Sequence, residues 1–104
     1  MRSALALILL TVSLSSAQAV EISDEHAAPC SDVATLKRMD TIARAGDRAG
    51  LEAYIKETMA SGECRRLAVG TKVRIERSEG RYTCVAPFGS TAPCRWVYVR
   101  ELKP

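Results

Sequence analysis

The chain has 104 residues, a net charge of +3, four cysteines and one histidine, and 47% of its residues are hydrophobic. This length allows one domain with a modest core and excludes a multidomain enzyme with a large internal cleft. A single histidine excludes most catalytic triads and most zinc sites, and the sequence has neither a glycine-rich phosphate loop nor a nucleophile elbow. We therefore expect a protein that is not an enzyme and that holds no metal or cofactor.

Residues 1–19 have the three regions of a cleavable secretory signal peptide. Arg2 is their only charge, an apolar run covers residues 4–14, and Ala17 to Ala19 fits the small-x-small cleavage rule. The alternative is an uncleaved membrane anchor, but the apolar run is shorter than the about 20 residues that cross a bilayer. We expect cleavage after Ala19, a mature chain without a membrane span, and a periplasmic or secreted location.

The mature chain separates its charges along the sequence. Residues 20–64 carry nine acidic and five basic side chains, whereas residues 65–104 carry three acidic and nine basic ones. Such asymmetry can mark an anionic partner, or it can let the two halves attract each other. Residues 20–29 are acidic and unpatterned, so we expect a flexible lead-in, with His26 exposed and without a role.

Two helices are predicted between the first two cysteines. In each, a polar side chain that can cap a helix precedes apolar residues at helical spacing, and a glycine follows them. The short link between the helices is typical of an antiparallel pair, which would cover residues 30–63. In chain order the caps and stops are Ser31 or Asp32, Gly46, Asp47 and Gly62.

Four cysteines in a short exported chain predict two disulfide bonds, for which three pairings are possible. In an antiparallel helix pair, the start of the first helix lies beside the end of the second. Cys30 is therefore expected to pair with Cys64, which would stabilise the fold by about 3–4 kcal/mol in the chain-entropy model. No C-x-x-C spacing is present, which argues against a thioredoxin-type redox site and against a zinc site.

After Cys64 the sequence alternates polar and apolar residues, which is the period of a half-buried strand. Glycine, proline and small residues interrupt the alternation and mark a turn and a longer loop. The predicted strands are residues 72–77, 81–86 and 94–100, joined by a turn at 78–80 and a loop at 87–93.

The cysteines suggest a register for the second and third predicted strands. If Cys84 lies opposite Cys94, then Tyr82 falls opposite Trp96, and the two aromatic rings form a favourable cross-strand pair. We therefore expect a disulfide between Cys84 and Cys94 that joins these strands.

The last part of the chain contains a glycine, an alternating strand, a turn, an aromatic-x-x-Val strand, a loop and a Trp-Val strand that ends in leucine. This pattern resembles the bacterial SH3-like module over residues 65–104. Two features depart from it: Arg95 precedes the tryptophan where glycine is commoner, and the stretch is short for a five-stranded barrel. The matching positions are Gly70, Val73, Ile75, Gly80, Tyr82, Val85, Trp96, Val97 and Leu102.

With the helix pair, this resemblance implies one α+β domain over residues 30–104, in which an N-terminal antiparallel helix pair packs on a small antiparallel SH3-like sheet. The layout is similar to that of small exported proteins of Gram-negative bacteria.

The resemblance also implies binding, because exported SH3-like modules commonly contact cell-wall glycan, peptide or other proteins. The positions that it marks as contacts are Tyr82, Trp96 and Tyr98, with Phe88 in the adjacent 85–93 loop. The alternative is that Tyr82 and Trp96 pack in the core and that Phe88 folds back over the sheet.

Arginines such as Arg74 and Arg95 occupy polar positions of the predicted strands and could form a cationic patch. Such a patch would suit anionic lipid head groups, cell-wall polymer or an acidic protein, and nucleic acid is not expected outside the cytoplasm. Alternation alone also turns these side chains outward. Glu76 and Glu79 are better explained as solvated hairpin residues than as a glycosidase pair.

The leading hypothesis is an exported binding module that contacts a cell-envelope polymer or protein through its sheet and the 85–93 loop. The second hypothesis is a small inhibitor or immunity-type protein, in which the 84–94 loop blocks the active site of a partner enzyme. A structural accessory subunit that docks through its helices is the third, and it would be supported by an exposed apolar stripe on them.

Overall fold

A computed structural model describes residues 20–104, and the predicted signal peptide lies outside these residues. The chain is an α+β protein with two helices and a five-stranded antiparallel sheet. Neither helix in this part of the chain is long and apolar enough to cross a membrane. In chain order the elements are β1 (Val20–Ile22), α1 (Val33–Arg44), α2 (Arg48–Ser61), β2 (Lys72–Glu79), β3 (Tyr82–Pro87), β4 (Arg95–Tyr98), a 3-10 helix (Val99–Glu101) and β5 (Leu102–Lys103).

Both helices begin and end where their capping residues predict. The Asp32 side chain accepts a hydrogen bond from the backbone N–H of Ala34 at 2.9 Å and caps α1. Asp47 caps α2 in the same way, through the N–H of Gly50 at 2.8 Å. Gly62 ends α2 with a φ of 84°, a left-handed conformation that glycine adopts without strain.

The carboxylate of Glu63 joins the end of α2 to the start of α1. It accepts hydrogen bonds from the backbone N–H of Asp32 at 3.0 Å, from the Thr35 hydroxyl at 2.8 Å and from the Ser31 hydroxyl. Burial acts to raise the pKa of Glu63, but these hydrogen bonds outweigh burial and hold the pKa below its usual value. Beside this carboxylate, the predicted disulfide between the first two cysteines is present.

The first residues of the described chain form a strand rather than the flexible lead-in that their composition predicts. The sheet has the order β4-β3-β2-β1-β5, so β1 lies between two other strands. Val20 is opposite Val73 of β2, and Ile22 is opposite Leu102 of β5 and fully buried. The helix pair is therefore inserted between the first two strands, and the sheet extends beyond residues 65–104.

The predicted pairing of the last two cysteines is present, but the predicted strand register is wrong by two residues. Cys84 lies opposite Trp96 rather than Cys94, and Tyr82 lies opposite Tyr98. A two-residue shift leaves every side chain on its expected face, because the side-chain period of a strand is two. The aromatic pair consequently joins Tyr82 and Tyr98, whose ring centroids are 5.8 Å apart.

Two apolar clusters lie on opposite faces of the sheet, because successive residues of a strand point to opposite sides. We call them the helix-side cluster, which includes Leu36 of α1, and the inner cluster, which includes Ile22 of β1. The buried members of the helix-side cluster are Cys30, Leu36, Cys64, Cys84, Trp96 and Tyr98, and those of the inner cluster are Ile22, Ala27, Val73, Val85 and Val97.

Candidate functional site

A cavity of about 440 Å³ opens between the chain segments that flank the first disulfide and the loop that follows β3. Most of its lining is apolar, and its rim is basic. We call this cavity the groove. The apolar side chains that matter to it are Pro29, Leu67, Val85, Pro87, Pro93 and Cys94, and the basic ones are Arg65, Arg66 and Arg95.

One wall of the groove is the segment predicted as the 85–93 loop, of which residues 85–87 are the end of β3 and residues 88–93 form the loop itself. We keep the name 85–93 loop for this segment, which several contacts hold in place. The Cys84–Cys94 disulfide closes the loop at its base. The Arg74 guanidinium donates hydrogen bonds to the carbonyl oxygens of Pro87 at 3.2 Å and Ser90 at 2.6 Å. Arg74 therefore positions the loop.

The two glutamates near the turn are each paired with a basic side chain. Glu76 lies 2.8 Å from the Arg74 guanidinium, and Glu79 contacts Lys37 of α1. Each carboxylate therefore has a separate cationic partner, as expected of surface residues of a hairpin.

The opposite wall of the groove is made of two chain segments that run beside each other. The N–H of Arg65 donates to the carbonyl of Pro29 at 3.0 Å, and the N–H of Leu67 donates to that of Ala27 at 3.2 Å. The half-buried Arg95 guanidinium ties this wall to β4, because it donates to the carbonyl oxygens of Glu63 at 2.9 Å and Pro29 at 3.3 Å. Arg95 stands where the SH3-like pattern commonly has glycine, and in this chain its side chain supports the wall of the groove.

The rim of the groove carries two arginines, and the Glu63 carboxylate beside the lining is bound to the hydroxyl of Ser31. Arg65 and Arg66 are exposed, and within residues 20–104 neither guanidinium has a carboxylate oxygen within 4.0 Å. None of the residues that line the groove is Asp or Glu. Five of the other lysine and arginine side chains in residues 20–104 are paired with a carboxylate and seven are not; the paired ones are Lys37, Lys72, Arg74, Arg81 and Lys103.

The aromatic residues that the SH3-like pattern marks as contacts lie mostly in the core. Trp96 and Tyr98 are each 8% exposed and belong to the helix-side cluster. Tyr82 is half-buried and packs against the same cluster. Phe88 is 55% exposed on the loop, and it does not line the groove. Of the predicted arginines, Arg95 lines the groove and Arg74 contacts the loop beside it, whereas none of these four rings lines it.

The tyrosines share one carboxylate with an arginine. The hydroxyls of Tyr82 and Tyr98 both donate to Asp40 of α1, and the Arg81 guanidinium lies 3.1 Å from it. Burial acts to raise the pKa of Asp40, but the three donors outweigh it and lower the pKa. Burial and this carboxylate raise the pKa of Tyr98, while hydrogen bonding to the carboxylate and burial raise that of Tyr82. Both hydroxyls therefore stay protonated at neutral pH and act as donors.

Sequence reasoning missed most of the groove. Arg65 and Arg66 are adjacent basic residues directly after a cysteine, which is the one visible signal. Pro29 and Leu67 are far from the 85–93 loop in sequence, and only the pairing of strands brings them beside it.

No protein-family model, curated protein or solved structure gives a significant match to this chain.

Proposed function

We propose that this chain is an exported binding module that holds part of a cell-envelope partner in the groove, beside the 85–93 loop. The observation that carries the proposal is the combination of an apolar floor with two exposed rim arginines, Arg65 and Arg66, that form no ion pair with the described residues. Binding sites are commonly concave and apolar, with a few placed polar groups, and have volumes of roughly 300–1,000 Å³.

The strand arrangement supports an SH3-like assignment for this module. The last strand follows a 3-10 helix and pairs with β1, so that β1 supplies the strand that residues 65–104 lack. The packing of the helix pair on the sheet, which is part of the same proposal, is supported by Leu36, which shares a cluster with Trp96.

Export is supported by the two disulfides, which are typical of oxidising compartments. Together with the signal-peptide pattern of residues 1–19, they favour a periplasmic or secreted location.

Photo-crosslinking in living cells tests the proposed function. A photoreactive residue replaces Ala92, which is exposed and lines the groove, in the full chain with its own leader. The matched control replaces Ala53, which is exposed on α2. We expect a discrete adduct from position 92 and none from position 53. No adduct, or the same adducts from both positions, would contradict the proposal.

Phe88 favours a second candidate function, that of an inhibitor whose loop enters a partner enzyme. Its ring is 55% exposed on a disulfide-closed loop, and an aromatic anchor on a rigid loop can dominate an interface. In that case Phe88→Ala would abolish inhibition of the captured enzyme, whereas Arg65→Glu would reduce it less. The groove hypothesis expects the opposite order.

A further inference from the structure

We infer that the occupant of the groove is an acidic segment of a protein, in which an apolar side chain is flanked by carboxylates. The inference rests on the proposed function, because it names the chemistry of the ligand for the same groove. Three features of the groove lead to it: its charge, its floor and its lack of aromatic rings.

The charge of the groove selects an anion. Arg65 and Arg66 are consecutive exposed residues that line the groove, whereas the Arg95 guanidinium in the wall is already bound to backbone carbonyl oxygens. The Arg66 side chain makes one hydrogen bond of 3.3 Å, to the carbonyl oxygen of Glu25, which leaves most of its donors for a ligand. Guanidinium groups bind carboxylates through paired hydrogen bonds, so carboxylates of a partner can complete this rim.

The floor of the groove selects an apolar group. Val85 is 2% exposed, Leu67 and Cys94 are half-buried, and all three line the groove. An apolar side chain that enters here removes this surface from water, which contributes roughly 25 cal/mol per Å² of apolar area. An anionic polymer without apolar groups would use the rim and leave the floor unfilled.

The absence of aromatic rings from the groove disfavours cell-wall glycan. Sugar rings are commonly held by stacking of their apolar faces on aromatic side chains, together with polar groups that bind the hydroxyls. No Phe, Tyr or Trp lines the groove, and Trp96 and Tyr98 are buried in the helix-side cluster. A peptide with both carboxylates and an apolar side chain matches the rim and the floor together.

Selection from a displayed random-peptide library tests this inference on the mature protein, purified after export from the full-length gene. We expect the enriched peptides to share an apolar residue between acidic ones. The double variant Arg65→Glu, Arg66→Glu should lose this enrichment, and its affinity for the best peptide should fall about tenfold or more.

The matched control reverses two exposed arginines at the link between the helices, Arg44→Glu and Arg48→Glu, which do not line the groove. This variant should select the same peptides as the wild type. The inference is overturned if the enriched peptides show no acidic preference, or if both double variants lose binding equally.

The crosslinking experiment at Ala92 separates failure of the inference from failure of the proposed function. An adduct with a glycan fragment, or with a protein through a neutral or basic segment, would overturn the inference and leave the binding function in place. An adduct with an acidic protein segment supports both. If no adduct forms, the groove is not a binding site and both are wrong.

Discussion

Asp40 shows how one side chain joins a helix to a sheet. It lies on α1 with its carboxylate 13% exposed, and it accepts hydrogen bonds from Tyr82 of β3 and Tyr98 of β4. The Tyr98 hydroxyl also lies 3.2 Å from the carbonyl oxygen of Leu36, so the contact fixes the helix at two points. These two tyrosines are therefore better explained as residues that stabilise the fold than as binding residues.

The substitution Asp40→Asn should lower the free energy of unfolding by about 1–3 kcal/mol at neutral pH, because it removes a charged acceptor from three donors. Since the pKa of Asp40 is lowered in the folded state, its contribution is complete above the unfolded pKa of about 3.9 and is lost as the pH falls through the folded pKa. Urea unfolding of both proteins as a function of pH measures the difference, which should shrink with acidification.

The control for this prediction is Asp47→Asn, since asparagine caps a helix about as well as aspartate. It should change the free energy of unfolding little. If Asp40→Asn were as mild as Asp47→Asn at neutral pH, the role given to Asp40 would be wrong.

At the scale of elements, β1 is the shortest strand of the sheet that has a neighbouring strand on both sides. Its three residues pair with β2 on one side and β5 on the other. The backbone N–H of Gly70 donates to the carbonyl of Ile22 at 2.8 Å, and the N–H of Ile22 donates to that of Thr71 at 3.0 Å. Without β1, β5 would lose its paired strand, and the inner cluster would lose the side chain of Ile22.

Replacement of Ile22 by alanine should therefore destabilise the fold by about 2–5 kcal/mol, as expected of a fully buried isoleucine. The adjacent and exposed Ser23→Ala should stay within about 0.5 kcal/mol of the wild type. Thermal and urea unfolding measure both. Equal, small effects of the two substitutions would indicate that residues 20–29 are the flexible lead-in that their composition predicts.

The helices are predictable from sequence because each carries its own local signals. Asp32 and Asp47 act as caps through nearby N–H groups, and Gly62 supplies a conformation that few other residues adopt. β1 is not predictable in this way, because three residues are too few to show a period and its partners are distant in sequence.

The register of β4 and the position of the groove could not be predicted from the sequence, for a related reason. The loop before β4 determines which residue lies opposite Cys84. Because Cys94 precedes the first residue of β4, the disulfide can form without placing the two cysteines opposite each other. Likewise, Arg65 and Arg66 are visible in the sequence, but the apolar floor beside them exists only once the sheet has formed.

At the scale of the whole molecule, the separated charges partly attract each other. Basic residues of the second half pair with acidic residues of the first: Arg81 with Asp40 at 3.1 Å, and Lys72 and Lys103 with Glu21 at 3.8 Å. This agrees with mutual attraction of the halves. Among the described residues, the arginines of the second half without an ion pair are Arg65, Arg66, Arg77, Arg95 and Arg100, and of these Arg65 and Arg66 are exposed at the groove.

Salt should therefore affect binding more than folding. The Debye length falls from about 10 Å at 0.1 M to about 3 Å at 1 M, which screens the exposed rim of the groove. Exposed ion pairs such as that of Lys103 contribute only about 0–1 kcal/mol each, so the unfolding midpoint should change little. Calorimetric titration with the captured acidic peptide, across this range of salt, checks the expected loss of affinity, and a constant affinity would contradict a charge-based site.

The helices offer little surface for docking by apolar contact. Ile55, at 41%, is the one large apolar side chain of the two described helices that is clearly exposed. One exposed side chain does not form an apolar stripe. The accessory-subunit hypothesis therefore gains no support from the surface of the helices.

If the chain is exported as we propose, the order of its cysteines also bears on how the two disulfides form. Each cysteine bonds to the next one along the sequence, Cys30 to Cys64 and Cys84 to Cys94. If the chain leaves the cytoplasm with its N-terminus first, the cysteines reach the oxidising side in the order in which they pair. An oxidase that joins each cysteine to its latest predecessor would then make the native bonds directly, without an isomerase to correct them.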